Sequence, residues 1–242
     1  MPENYFKHFP TIDFDVKNDG NLIKAKDIFR SIRVASDVAE GVTGYEYYYI
    51  GDQDRPDVLA TKLYADPTLY WLFWMVNDHL ATYNDWPKSQ RILEKFIKRK
   101  YIGRCLVANL QSDIVSSSDS KFLQGEKVVG STSSAFGYII NIDPTNKQII
   151  LNDITGTFQV GETVTGSQST KSFTINSVRN FEDSPHHYED SEGLKTTVST
   201  GNTPISNKEY EQKFNDDKRS IRYIKLQYIQ GLLKEFKSFI RA

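Results

Sequence analysis

Eight consecutive residues, Leu69-Tyr70-Trp71-Leu72-Phe73-Trp74-Met75-Val76, are all apolar or aromatic, and no other feature limits so strongly what this chain can fold into. Asp66-Pro67 just before them is a helix-start signal, a capping carboxylate followed by a proline in the first turn, where a missing N–H costs nothing. Asn77-Asp78 closes the run. In a helix, Leu69, Leu72, Phe73 and Val76 share one face at i, i+3, i+4 and i+7. Tyr70, Trp71, Trp74 and Met75 make the other side apolar too, so the helix must be covered all round. Two coverings are open. Either the chain's own strands and N-terminal arm wrap it, or a partner chain covers part of it.

The flanking sequence supplies candidate coverings. Tyr45-Glu46-Tyr47-Tyr48-Tyr49-Ile50 is β-rich by residue type and ends at Gly51-Asp52. Asp54 is placed to cap a helix that has Pro56 in its first turn and runs through Val58, Leu59 and Leu63 to Tyr64. Asp85-Trp86-Pro87 starts a further helical stretch with Ile92, Leu93, Phe96 and Ile97 on one face. Lys95, Lys98, Arg99 and Lys100 cluster toward its end, where cations suit the helix dipole. Near the N-terminus Ile12, Phe14 and Val16 alternate with polar residues as a short strand, Asn18-Asp19-Gly20-Asn21 reads as a turn, and Ile28 to Ile32 reads as a further extended piece. An arm of this kind is expected to be held by neighbours.

From Cys105 to about residue 180 the chain changes character. After the polar break Ser116 to Ser120, the stretch Phe122 to Ser133, with Gly125-Glu126 and Gly130-Ser131, recurs as Phe158 to Ser169, with Gly161-Glu162 and Gly166-Ser167, 36 positions later. Short β-rich runs accompany the copies, at Tyr138–Ile142, Gln148–Leu151 and Phe173–Ile175, and the glycine pairs punctuate them as turns. Two copies are too few for a solenoid, so a compact β-barrel or sandwich of paired units is expected. Residues 181–207 are polar and read as loop, Glu209 to Asn215 as a helical turn, and Ser220 to Lys225 as a strand. Ile229, Leu232, Leu233, Phe236 and Ile240 then mark an amphipathic helix, in which Gly231 lowers local propensity.

Composition narrows the function. Aromatic residues make up 13% of the chain against only 38% hydrophobic residues in all, and aromatic rings dominate protein–protein contacts. A net charge of −1 gives no global field to draw in nucleic acid or an anionic membrane. The single cysteine, Cys105, rules out an intrachain disulfide framework, and no apolar run is long enough to span a membrane, so a soluble protein is expected. Glu182, Asp183, His186, His187, Glu189 and Asp190 mix metal-ligating residue types, but adjacent histidines on an extended chain are expected to point apart, and no HExxH or CxxC spacing supports a metal site. The Gly-x-Ser-x-Gly elbow and the Gly-Lys-Ser/Thr ending of a phosphate loop are absent, and an acidic pair such as Asp216-Asp217 is too common to signal a glycosidase. No enzyme activity, cofactor, metal or small-molecule substrate is expected.

The run Tyr47 to Asn77-Asp78, with Arg55-Pro56, Leu59-Ala60, Leu63-Tyr64, Asp66-Pro67 and Tyr70-Trp71, resembles the baseplate wedge subunit family of contractile-tailed phages of the T-even type, the products of gene 53. Asn215-Asp216-Asp217-Lys218-Arg219 to Ile224, followed by a terminal helix, is similar to that family's end. The resemblance covers roughly residues 1–104 and 181–242. The β repeat departs from it and is similar instead to repeat modules in structural proteins of cyanobacterial phages. The resemblance implies an α+β fold with a LysM-like strand-helix-helix core, an inserted all-β repeat domain and a C-terminal strand plus helix. The expected division is an N-terminal arm at 1–43, the core at 44–104, the insert at 105–180, and an acidic loop, strand and helix returning to the core at 181–242. It also implies a place in the inner tail baseplate of the virion, assembled in the host cytoplasm, where such subunits help join neighbouring wedges. The partners would be other wedge proteins, with no nucleic acid and no membrane. The interface candidates are Tyr47, Tyr49, Tyr70, Trp71, Trp74 and Trp86. LysM modules also bind peptidoglycan, which makes a cell-wall-binding module the alternative.

Overall fold

The strand that opens the tyrosine-rich region finds its hydrogen-bonding partner nearly the whole chain away. In the computed structural model, which describes residues 3–6, 9–28, 44–116, 119–196 and 201–241, Tyr45–Tyr49 pairs antiparallel with Ser220–Ile224. In chain order the elements are helix α1 (Glu3–Phe6), strands β1 (Thr11–Phe14), β2 (Ile23–Lys26) and β3 (Tyr45–Tyr49), and helix α2 (Pro56–Tyr64). A 3₁₀ segment Pro67–Trp71 leads into α3 (Leu72–Val76), followed by α4 (Gln90–Lys100). Next come β4 (Arg104–Ala108), β5 (Val115–Ser116), β6 (Asp119–Ser120), β7 (Lys127–Gly130), β8 (Phe136–Asp143), β9 (Gln148–Thr155), β10 (Thr163–Gly166) and β11 (Ser172–Asn180). Strands β12 (Pro185–Glu189), β13 (Lys195–Thr196) and β14 (Thr203–Ser206), helix α5 (Asn207–Asp217), strand β15 (Ser220–Ile224) and helix α6 (Leu226–Arg241) complete the chain. Two units result, one from residues 1–90 with 215–242 and the other from residues 91–214.

In the first unit the apolar run is covered by its own chain. Leu69, Trp71, Leu72, Phe73, Met75 and Val76 are all buried, in one core with Phe9, Ile50, Leu59, Ile221, Ile224, Ile229, Phe236 and Ile240. Trp71 packs on Phe236 of α6 at 4.7 Å between ring centroids and on Tyr5 of α1 at 5.1 Å. The run is not one α-helix, because its first turn is 3₁₀. Asp66 opens it as its position predicts, accepting the Thr68 N–H at 2.8 Å.

Two start signals resolve differently. Arg55, not Asp54, is the N-cap of α2 and makes no side-chain capping bond, while Pro56 takes the first helical position. The Asp54 carboxylate is occupied elsewhere, accepting the Gly51 N–H at 2.8 Å and the Tyr48 hydroxyl at 2.9 Å. Asp85 closes a 3₁₀ turn (Tyr83–Asp85) that Thr82 begins with a reciprocal capping box, and the helix starts only at Gln90. At the N-terminus β1 and β2 form a hairpin, and Val16 lies in its turn. The extended piece expected at Ile28 to Ile32 lies outside the described residues beyond Ile28.

The second unit holds a closed six-stranded barrel in the order β10-β11-β4-β9-β8-β7, so the expectation of a barrel or sandwich resolves to a barrel. The repeat explains its closure. The equivalent strands β7 and β10 lie side by side, and each copy's glutamate crosses to the other copy's turn. Glu126 accepts the Gln168 and Ser169 N–H groups at 3.1 and 3.0 Å, and Glu162 accepts those of Thr132 and Ser133 at 3.2 and 2.9 Å. Each also accepts the N–H three residues before it, from Leu123 and Gln159. The glycine that follows in each copy leaves room for this. A Cβ on Gly130 would stand 2.6 Å from a Glu162 oxygen, and one on Gly166 2.7 Å from a Glu126 oxygen. Burial by itself would raise both carboxyl pKa values, and the main-chain N–H bonds outweigh it, so both lie below the usual range.

Residues 181–207, expected as loop, contain the sheet β13-β12-β14, and the expected helical turn at Glu209 is the longer helix α5. Cys105 is fully buried in β4 with its thiol directed at Gln148 Oε1, 3.0 Å away, and burial pushes its pKa up to about 12.

Replacing either crossing carboxylate by its amide leaves a buried amide NH2 facing N–H donors. Glu126→Gln or Glu162→Gln is expected to destabilise the chain by about 1.5–3 kcal/mol each in urea titrations followed by far-ultraviolet circular dichroism. A change below the titration's error in both would refute the crossed arrangement.

Candidate interaction surface

Buried polar side chains of the first unit bind its early and late segments to each other. Arg219 is 7% exposed and donates to the Ile50 carbonyl at 2.9 Å, the Lys88 carbonyl at 3.2 Å, Asp52 at 2.6 Å and Asp216 at 3.1 Å. Asn215 brackets Lys88, accepting its N–H at 2.7 Å and donating to its carbonyl at 3.0 Å. Asn77 does the same to Arg222 of β15, at 2.8 Å in both directions, and also donates to the Phe73 carbonyl. Lys218 pairs with Asp85 at 3.0 Å. Asn77, Asn215, Lys218 and Arg219 belong to the two motifs of the sequence, and their side chains bond within the fold.

The six interface candidates divide three ways. Tyr47 and Tyr49 on β3 are 76% and 65% exposed. Tyr70, Trp74 and Trp86 are half-buried in an aromatic row: Tyr70 meets Trp74 edge-on at 5.9 Å, and Trp74 lies 5.3 Å from Trp86. Both of those indoles are anchored, Trp74 donating to the Thr82 carbonyl and Trp86 to the Asp54 carbonyl, each at 2.9 Å. Trp71 is a core residue, 8% exposed, and its buried Nε1 has no hydrogen-bond partner among the described residues. Sequence reasoning passed over Tyr83, which is 67% exposed and stacks on Trp74 at 5.9 Å and 13°. The signal was present, since Thr82 and Asp85 have capping-box spacing and fix the turn that holds Tyr83 out.

The histidine pair in the second unit does not point apart. His186 and His187 approach through their Nδ1 atoms at 2.9 Å, because the β12–β14 register shifts between Pro185 and His187 and breaks the alternation. His186 stacks on Tyr210 at 3.8 Å, and burial followed by the charge of His187 holds its pKa below the ordinary histidine value. Among the described residues no three His, Cys, Asp or Glu side chains come together as a metal site. Likewise, no described helix is long and apolar enough to cross a membrane.

Several polar side chains of this unit are turned inward to fasten the chain to itself, and the rings of Tyr47, Tyr49 and Tyr83 are left outward. Residues 4–111 match the family described as Base plate wedge protein 53. The chain is also 32% identical over 101 residues to baseplate wedge protein gp53 of Enterobacteria phage T4, a match that takes in 40% of this chain and 50% of that protein. The chain thus spans about half the length of the curated relative it matches. The matched family segment contains β3, α2, the apolar run and the aromatic row.

The Lys218–Asp85 pair gives a pH signature. Its hydrogen bond from Lys218, aided by Thr82 against the opposing effect of burial, holds the Asp85 pKa at about 2, below its ordinary 3.8. A carboxyl depressed on folding stabilises the protein above its unfolded pKa and loses that contribution as pH falls through the folded one. Asp85→Asn is expected to cost about 1–2 kcal/mol at pH 7, and the gap from wild type is expected to close between about pH 4 and pH 2 in unfolding titrations.

Proposed function

We propose that the chain is a non-catalytic structural component of a phage tail baseplate wedge, that it resides in the virion tail, and that it joins neighbouring wedge subunits in the inner baseplate. The family match over residues 4–111 carries this reading, and the exposed rings of Tyr47, Tyr49 and Tyr83 supply contact surface of the right kind. The core supports a LysM-like description. Strand β3, helix α2, the Pro67–Val76 helical run and β15 follow in order around the insert, with the two strands paired antiparallel.

That likeness brings the peptidoglycan reading with it, and the indoles speak against it. Sugar rings stack on open aromatic faces, whereas Trp71 is inside the core and Trp74 and Trp86 are half-buried with their N–H groups committed to main-chain carbonyls. The remaining partners of the chain are protein surfaces.

In the phage that encodes it, deleting this gene is expected to stop tails before a complete baseplate, and supplying the chain in trans to restore them. Complete, infectious tails formed without the chain would refute the assignment. The double variant Trp74→Ala/Tyr83→Ala is expected to fold and to enter tails roughly tenfold less well, as loss of a contact hot spot does. Trp71→Ala instead is expected to lose about 3–5 kcal/mol of stability, as truncation of a core ring does.

A further inference from the structure

The sheet formed by β3 and β15 has two outer edges, and they are finished differently. Ile50 N–H donates to the Arg219 carbonyl and Lys225 N–H to the Gly44 carbonyl, both at 2.9 Å. Given the register, antiparallel alternation turns the main-chain groups of Glu46 and Tyr48 toward β15 and those of Tyr45, Tyr47 and Tyr49 away from it. On β15 the outward groups are closed off by side chains. Asn77 takes both the N–H and the carbonyl of Arg222 at 2.8 Å, and the Tyr64 hydroxyl takes the Ile224 N–H at 3.3 Å. On β3 the outward N–H and carbonyl groups of Tyr45, Tyr47 and Tyr49 have no partner among the described residues, and Tyr47 and Tyr49 stand 76% and 65% exposed.

An open edge is a template for another strand, and proteins that must not pair blunt it with proline, lysine or a bulge. Strand β3 has none of these. Its sequence, Tyr45-Glu46-Tyr47-Tyr48-Tyr49, is strongly strand-forming, and its register with β15 is unbroken. The edge also carries a charge preference. Arg222 lies directly across from Tyr47, so their side chains share a face, and the Arg222 guanidinium makes no ion pair among the described residues.

We propose that the edge of β3 that no described residue covers receives an extended strand of a neighbouring polypeptide, which adds to the sheet as its third strand and presents a carboxylate on the face of Tyr47 and Arg222. Main-chain hydrogen bonds to Tyr47 and Tyr49 give the attachment, and the two tyrosine rings with Arg222 select the strand. Only the identity of the neighbour rests on the wedge reading; the open edge does not.

Hydrogen exchange on the full chain, free and in purified tails, tests this. The amides of Tyr47 and Tyr49 are expected to exchange quickly in the free chain and at least about a hundredfold more slowly in the particle. Tyr47→Pro removes an N–H that no described residue accepts, so this variant is expected to keep a near-wild-type melting temperature and enter tails at least tenfold less well. Tyr47→Ala, which keeps the N–H, is expected to retain more of the incorporation than Tyr47→Pro, and Arg222→Ala to lose part of it. If Tyr47→Pro fails to fold, the exchange measurement on the wild type decides alone. Wild-type chain that enters tails with Tyr47 and Tyr49 still exchanging quickly overturns the added strand and leaves the wedge reading standing. Slow exchange at these amides in the isolated chain, as a monomer or a self-paired dimer, also overturns it. A wild-type chain that never enters tails overturns the wedge reading instead.

Discussion

The buried guanidinium of Arg219 is the interaction on which the first unit depends. It reaches the end of β3 through Ile50 and Asp52, the approach to α4 through Lys88, and its own segment through Asp216. A buried cation deprived of its partners costs several kcal/mol, so the folded unit needs all of these segments in place. The core of the apolar run is closed on the same terms, since Ile221, Ile224, Phe236 and Ile240 all come from beyond the insert. The unit therefore cannot be completed by residues 1–90 alone. It waits for the chain to return.

The insert makes that return inexpensive. Closing a flexible loop of this length would carry an entropic cost, whereas a folded insert holds its own ends. Lys100 near the end of α4 meets Glu211 of α5 at 2.6 Å, and the Tyr101 hydroxyl donates to the same carboxylate at 2.8 Å. Asn207 at the start of α5 is tied back to Phe181 and Ser184, just after the barrel's last strand. Within the second unit, the segment that leaves the first unit and the segment that returns to it are thus fastened side by side, and the barrel above them is locked by its own pair of crossed glutamates.

Local signals were legible where one residue has one strong option. Asp66-Pro67 opened its turn, the 36-residue repeat announced paired β units, and Ile229, Phe236 and Ile240 marked the buried face of α6. Reading failed where a side chain had a competing long-range partner or a strand a distant one. Asp54 serves Gly51 and Tyr48 rather than its helix, and Glu126 and Glu162, read as turn punctuation, are the link between copies. Strands β12 to β14 are short and polar, so their pairing rests on a register no local pattern displays. In the candidate surface, residue type did not separate Trp71 from Trp74. Both belong to one aromatic run, and only the arrival of α1 and α6 over one side of it decides which ring is buried.

That division leaves the rings in different states with respect to their polar atoms. Trp71 has its N–H buried without a partner among the described residues, a state that desolvation makes costly and that packing against Tyr5 and Phe236 must offset. The tyrosines of β3 face the opposite situation. Tyr48 turns toward the fold, where its hydroxyl donates to Asp54 and receives a bond from Lys62, whereas Tyr47 and Tyr49 keep their hydroxyls in water. A valine or isoleucine at those two positions would form the strand as well and leave only apolar surface outside, an invitation to indiscriminate aggregation along an open edge. Tyrosine offers a comparable contact area with one end that water satisfies, which lowers the cost of leaving such an edge exposed. The edge that no described residue covers and the choice of tyrosine along it are therefore one feature, a surface whose hydroxyls make it tolerable in isolation and which the proposed added strand would complete.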